Sequence, residues 1–284
     1  MKFDCTTDFH IHSNNSGDAK DSIAAMCLQA VEVGIKEITF TEHLDFEPSD
    51  LCYGLFDYTR YMDELTAARE EFDGRLVIYA GIECDYQERY RSQVEAFLSD
   101  KKFDFVLGAA HYVDGQILEN HESYFPGKNE QEAYLPYFKV VKAAVNSGLF
   151  EAIAHLDICK RYGCRYYGAL RTAAYQEMLE ELLADIISNG LTLEINTSGL
   201  RQSPCETYPS AEVVSMYAKL GGKHATIGSD AHRIEDLGAG LAEGVKIALD
   251  AGLVWNAKFD KRDFLPIMQA NRHAEDQNVA AHGS

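Results

Sequence analysis

Short runs rich in β-branched and aromatic residues alternate with longer segments whose apolar positions recur every three or four residues, along almost the whole chain. The short runs predict strands at 3–11, 36–42, 75–84, 103–111, 150–156, 190–196 and 224–229. The longer ones predict helices at about 19–33, 57–73, 88–100, 130–147, 170–188, 209–220 and 234–251. In 170–188, Leu170, Ala173, Ala174, Met178, Leu179, Leu182, Leu183, Ile186 and Ile187 form one apolar stripe. Gly34, Gly148, Gly190 and Gly221 stand between a helix and the next strand, where a left-handed residue closes a helix. A repeated βα unit implies parallel strands with right-handed crossovers. No Pro/Gly/Ser-rich linker divides the series, so the pattern predicts an α/β protein with one closed (β/α) barrel over residues 1–272, in preference to an open doubly wound sheet. Residues 273–284 lack periodicity and are expected to form a disordered tail.

Composition narrows the class. With 46% hydrophobic residues the chain is expected to fold around a real core. Its 26 Lys and Arg against 45 Asp and Glu give a formal charge of −19, which argues against nucleic acid and anionic membranes as partners. No run approaches the roughly 20 apolar residues of a membrane span. The opening MKFDCTTDFH has no apolar core of a signal peptide. Seven cysteines without a CxxC pair read as reduced thiols, and a cytoplasmic location is expected.

The placement of histidines carries the chemistry. His10 and His12 close the first predicted strand, His43 the second, His111 the fourth and His155 the fifth, while His232 follows the seventh. Glu83 ends the third strand and Asp230 the seventh. In an α/β barrel the strand C-termini converge on one face, so these eight residues would share a pocket. In DFHIH, residues i and i+2 point to the same side and suit a single ion. A lone strand histidine is more often structural, and His121, His224, His273 and His282 fall outside the pattern. Imidazole with carboxylate suits Zn²⁺, Mn²⁺ or Fe²⁺. One ion cannot take eight ligands, which implies a cluster of two or three divalent ions, an arrangement suited to phosphate ester hydrolysis.

The stretches DFHIHS (8–13), TEHLDF (41–46), GIECDY (81–86), GAAHYVDG (108–115), AHLD (154–157) and GSDAHR (228–233) resemble, in order, the motifs of the polymerase and histidinol phosphatase (PHP) family. KRYG (160–163) and EINTSGLR (194–201) are similar to its stand-alone histidinol-phosphate phosphatases. The resemblance implies a distorted (β/α)7 barrel with a trinuclear centre. In it, His10, His12, Glu83 and Asp230 would hold one ion, Glu83 would bridge to a second completed by His111 and His155, and Asp18, His43 and His232 would hold the third. Spacing alone, by contrast, reads Asp18 in the loop SNNSGDAK as a helix N-cap.

The implied reaction is hydrolysis of L-histidinol phosphate to L-histidinol and phosphate, a step of histidine biosynthesis, through a hydroxide held between two ions. Arg161 and Arg201 would clamp the phosphoryl oxygens. Asp230, His232 or a metal-bound water would protonate the leaving alkoxide. Glu47 or Asp50 in the loop after strand two could meet the substrate's ammonium, and 120–130 could fold over the site, though both also suit plain surface loops. The alternatives are another PHP-type phosphoesterase acting on a nucleotide or nucleoside bisphosphate, and a metal-storing barrel without turnover. Two or three divalent ions add about +4 to +6 locally, so an acidic chain can still take a small-molecule phosphate ester.

Overall fold

The computed structural model describes residues 6–255 and 258–265. The expected tail at 273–284, the start of the first strand, Cys5, His273 and His282 lie outside the described residues.

Seven parallel strands, β1 (Thr7–Ile11), β2 (Glu37–Leu44), β3 (Val77–Asp85), β4 (Phe105–Ala109), β5 (Ala152–Ile153), β6 (Thr192–Asn196) and β7 (Ala225–Gly228), lie side by side in chain order. The surrounding helices are α1 (Ile23–Val33), α2 (Tyr58–Glu71), α3 (Arg91–Asp100), α4 (Glu130–Val145), α5 (Cys159–Tyr167), α6 (Gln176–Ser188), α7 (Ala211–Lys219) and α8 (Leu241–Asp250). Their starts are locally encoded. The Ser22 side chain accepts from Ala25 N at α1, Asp57 caps α2, and Asn129 with Glu132 forms a capping box at α4.

The barrel closes between β1 and β7 through isolated bonds rather than a regular ladder. Asp230 N–H donates to the His10 carbonyl (2.7 Å) and His12 N–H to the Ala231 carbonyl (2.9 Å). This seam is the distortion the family resemblance implies, and it brings the two ends of the predicted metal set together.

Period-two alternation sorts the strands into faces. In β3, Ile78, Ala80, Ile82 and Cys84 pack into the core shared with the helices. The alternate residues, Tyr79 and Glu83 among them, face the axis. Phe9 lies against Tyr79 (5.6 Å between centroids) and Phe105 (5.9 Å), so the N-terminal end of the barrel is apolar. A hairpin of Lys258–Asp260 and Asp263–Leu265 covers that end. Its Phe259 packs on Phe105 (5.0 Å), and Arg262 pairs with Glu151 (2.7 Å).

The structure corrects several expected elements. The strand predicted at 150–156 pairs only over Ala152–Ile153, and His155 beyond it has φ 26°. Helix α5, which carries KRYG, falls in a region with no predicted element. Segments 88–90, 172–175 and 234–236 are 3₁₀ turns ahead of shorter helices. The loop at 120–130 contains a short helix, His121–Tyr124, and buries Tyr124 and Phe125, which anchors it.

Gly228 sets how closely β7 approaches β1. A Cβ there would lie 2.2 Å from the His10 Cβ and 2.9 Å from Glu194 Oε1. Gly228→Ala should cost about 1–3 kcal/mol, the usual penalty of overpacking, and should loosen metal retention; equilibrium denaturation and metal analysis of the variant check both.

Candidate metal centre and phosphate cavity

All nine residues of the predicted ligand set converge at the C-terminal ends of the strands. His10 Nε2 lies 3.3 Å from Glu83 Oε2, 3.0 Å from His12 Nε2 and 3.6 Å from Asp230 Oδ1. His12 Nε2 is 3.5 Å from the same two carboxylate oxygens. Around the other oxygen, Glu83 Oε1, stand His155 Nε2 at 2.8 Å and His111 Nε2 at 3.9 Å, with those two nitrogens 3.4 Å apart. Asp18 Oδ2 is 3.1 Å from His232 Nε2 and 3.5 Å from His43 Nε2, themselves 3.4 Å apart. Asp18 therefore faces histidines, and the N-cap of α1 is Ser22.

These distances test whether the residues fit metal ions. Tetrahedral ligands at 2.0–2.1 Å from a zinc ion stand about 3.3 Å from one another; the five contacts of the first group span 3.0 to 3.6 Å. The tautomers agree. His10 Nδ1 is 2.6 Å from Glu194 Oε1 and donates to it, which aims Nε2 into the cluster. His12 Nδ1 donates to Ser16 Oγ (3.2 Å), whose own proton goes to Glu42 Oε2 (2.6 Å). The two Nε2 atoms thus meet at 3.0 Å. Glu83 Oε2 is buried without a hydrogen-bond partner. Such an arrangement calls for a cation, a proton or a metal ion, at its centre.

Protons partly stand in for that cation. Burial works against charge on His10, yet Glu194, Glu83 and Asp230 hold its imidazole well above the usual range. Burial likewise opposes ionisation of Glu83, but His10 and His43 keep its carboxyl well below the usual value. Asp230 is lowered in the same way, burial being outweighed by His10 and the other imidazoles around it. Burial pushes His12 down to about 3 and His111 to about 4. Metal binding displaces protons from such a set.

A supporting layer escaped the sequence reading. Glu194, on the inner face of β6, takes His10 Nδ1–H on one oxygen and His155 N–H (2.7 Å) on the other. Asn196 donates to both Glu194 Oε2 and Asp230 Oδ2 at 3.2 Å. A carboxylate and an amide at i and i+2 of an otherwise apolar strand were the available signal. Outer partners of this kind orient a ligating imidazole and raise its basicity. Glu194→Ala should lower metal affinity roughly 10–100-fold, as read by competitive chelator titration.

The cluster opens into a cavity of about 1010 Å³ lined also by Arg161 and Arg201. Arg161 sits in the first turn of α5, stacked on Tyr162 (5.1 Å), and pairs with no carboxylate among the described residues. Arg201 ends a 3₁₀ turn, Ser198–Arg201, held by the Ser229 carbonyl (2.8 Å) and by Asp236 Oδ1 (3.4 Å). Of the two acids suggested for an ammonium, Asp50 lines the cavity and accepts from Tyr112 Oη (2.6 Å), whereas Glu47 is engaged by Arg89. Asp45, unremarked in the sequence, also lines the cavity, and its buried carboxylate is pushed well up by burial and by Asp85.

The six described cysteines are free, and no helix among the described residues is long and apolar enough to cross a membrane. Residues 8–198 match the PHP domain. The chain is 30% identical to the histidinol-phosphatase of Lactococcus lactis subsp. lactis, over 79% of this chain and 83% of that one. It is 30% identical to a Deinococcus radiodurans protein described as a probable histidinol-phosphatase, over 86% of this chain and 93% of the other. A crystal structure of the L. lactis histidinol phosphate phosphatase with zinc, L-histidinol and phosphate superposes with a TM-score of 0.86 at 26% identity, covering 92% of this chain and 99% of that one. The order of the strands, the nine converging side chains and these likenesses have one reading: the chain belongs to the PHP domain family.

Proposed function

We propose that this protein is a metal-dependent phosphomonoesterase that hydrolyses L-histidinol phosphate to L-histidinol and phosphate. The observation that carries the reading is the convergence of His10 Nε2 and His12 Nε2, 3.0 Å apart, on the same oxygens of Glu83 and Asp230 at 3.3–3.6 Å. In this reading His10, His12, Glu83 and Asp230 hold one divalent ion, Glu83, His111 and His155 a second, and Asp18, His43 and His232 a third, with zinc, manganese or iron as candidates. Bound ions would supply an activated water and neutralise charge developing on the phosphoryl group.

The chain's own residues do the remaining work. Arg161, paired with no carboxylate among the described residues, binds phosphoryl oxygens, and Arg201 does so from a guanidinium held by the Ser229 carbonyl and Asp236. His232 Nδ1 donates to the Asp230 carbonyl (3.1 Å), fixing its ring beside Asp18. Asp45 and Asp50 suit the cationic end of an amino-alcohol phosphate. The L. lactis relative with bound L-histidinol and phosphate supports the choice of substrate.

The test is phosphate release by the Mn²⁺- or Zn²⁺-loaded protein from L-histidinol phosphate beside nucleotides and sugar phosphates. A preference of tenfold or more in kcat/KM is expected. Comparable values across the panel would sink the assignment.

A further inference from the structure

We infer that a recess beside the active cavity is a second oxyanion site, organised by Arg165. The inference rests on the phosphatase reading only for its purpose; its chemistry stands on the recess alone. The recess measures about 420 Å³ and shares Arg161 and Arg201 with the active cavity, so an anion can pass between the two without leaving guanidinium contact. Arg161 and Arg165 are four residues apart in α5 and lie on one helix face. In a chain with 45 acidic residues, neither is paired with a carboxylate among the described residues.

Arg165 is nevertheless held in place. Its Nη1 donates to His121 Nε2 (2.8 Å), and His121 Nδ1 lies 3.0 Å from Tyr166 Oη, which donates in turn to the His121 carbonyl (3.1 Å). A ring that accepts at Nε2 and donates at Nδ1 is neutral, so it orients the guanidinium without competing for an anion. Gln202 adds a donor. Tyr208 Oη donates to Gln202 Oε1 (2.8 Å), which leaves the amide N–H₂ for the recess. Against these stands one exposed acid, Glu119, at the border with the active cavity.

Arg161 and Arg165, a third guanidinium at Arg201 that is partly engaged by Asp236 and by the Ser229 carbonyl, and the Gln202 amide make a donor-rich hollow with Glu119 the one carboxylate in its lining, and its ligand class is a phosphoryl oxyanion. That group is either free phosphate in transit from the metal centre or the second phosphoryl group of a bisphosphate ester.

The experiment titrates inorganic phosphate into the metal-loaded full chain, wild type against Arg165→Ala, by calorimetry. Wild type should bind two equivalents; the variant should keep the tighter one and lose the weaker by tenfold or more in Kd, and Arg165→Lys should recover part of it. Retention of the tight equivalent shows that the variant is folded. A weak equivalent unchanged in Arg165→Ala, or no second equivalent in wild type, overturns the site. A companion measurement compares kcat/KM for a bisphosphate and a monophosphate ester. A ratio that falls in Arg165→Ala assigns the site to a carried phosphoryl group, and an unchanged ratio beside a lost second equivalent assigns it to free phosphate. Neither readout requires histidinol phosphate to be the substrate, so failure of that assignment remains separable.

Discussion

Glu83→Gln should leave the barrel folded and remove its activity. The two carboxylate oxygens serve different groups: Oε2 faces His10 (3.3 Å), His12 (3.5 Å) and His43 Nδ1 (3.2 Å), while Oε1 faces His155 (2.8 Å). An amide of the same shape keeps one oxygen and turns an N–H₂ toward imidazole lone pairs on the other side, and one negative charge is lost. Outer-shell substitutions already cost 10–100-fold in affinity or activity, so at least about 100-fold in kcat/KM is expected from a group whose oxygens face members of all three sets. Linkage supplies a second readout. A 100-fold loss of metal affinity removes about 2.7 kcal/mol of ligand-derived stability, so metal-loaded wild type and variant should differ in Tm more than the chelator-treated pair. Metal analysis of the purified proteins completes the test. A variant with full metal content and undiminished turnover would refute the shared role of Glu83.

Much of the proposed ligand set was legible because its members, Asp18 excepted, lie at or just past a strand's C-terminal end, where topology alone makes them converge. His10, His43, Glu83 and His111 needed only the alternation of strand and helix to be placed on one face. The seam between β1 and β7 was not legible, since Asp230 and Ala231 meet β1 through backbone bonds that no side-chain pattern announces. Helix α5 was hidden by its composition. Glycine and tyrosine depress helix propensity, yet Gly163 is there because a Cβ would lie 2.1 Å from Tyr134 Oη, so packing of α5 on α4 overrides propensity. That packing is what turns KRYG from an apparent loop into a rigid mount for Arg161. Glu42 and Glu194 fall within TEHLDF and EINTSGLR, yet nothing in those stretches assigns them a role. Their burial shows otherwise: Glu42 is 0% and Glu194 1% exposed, and both end on groups that hold His12, His10 or His155. A buried carboxylate costs several kcal/mol unless hydrogen-bonded or paired, so such residues in a strand point to a site around them.

The charge of −19 acquires a spatial meaning in the same way. Acid groups are concentrated at the metal face through Asp18, Asp45, Glu83, Asp85 and Asp230, while the guanidinium groups that could meet a phosphate are gathered on α5 and the turn after β6. An empty cluster repels phosphate, and a metal-filled one attracts it. Substrate affinity should therefore track metal content more steeply than ionic strength alone would dictate.

Lys160→Met should cost about 3–5 kcal/mol of stability and weaken phosphate binding as well. Lys160 is 1% exposed, and its three ammonium protons find Asp157 Oδ2 (2.8 Å), the Thr207 carbonyl (2.9 Å) and Glu206 Oε1 (3.0 Å). The residue next to it is Arg161, and its partners 206 and 207 follow Arg201 by a few positions, so one buried cation fastens together the two segments that carry the proposed clamp. Methionine fills the volume but leaves Asp157, 0% exposed, as an uncompensated buried charge. Burial already holds the Asp157 carboxyl above its usual range, with Lys160 opposing the rise. Without the lysine the carboxyl moves higher still. A folded-state value above the unfolded one of about 3.9 means that the folded state binds the extra proton, so stability falls as pH rises through that interval. The deficit of the variant should accordingly be smallest below about pH 4 and largest near neutrality, as read from urea melts across pH. Removing the stranded charge as well, in Lys160→Met/Asp157→Leu, should return much of the stability. The phosphate clamp should remain loose in that double variant, with KM raised more than kcat is lowered, because the tie to Thr207 and Glu206 is still missing. A double variant no more stable than Lys160→Met, or one with wild-type KM, would show that Lys160 neither compensates Asp157 nor aligns the arginines.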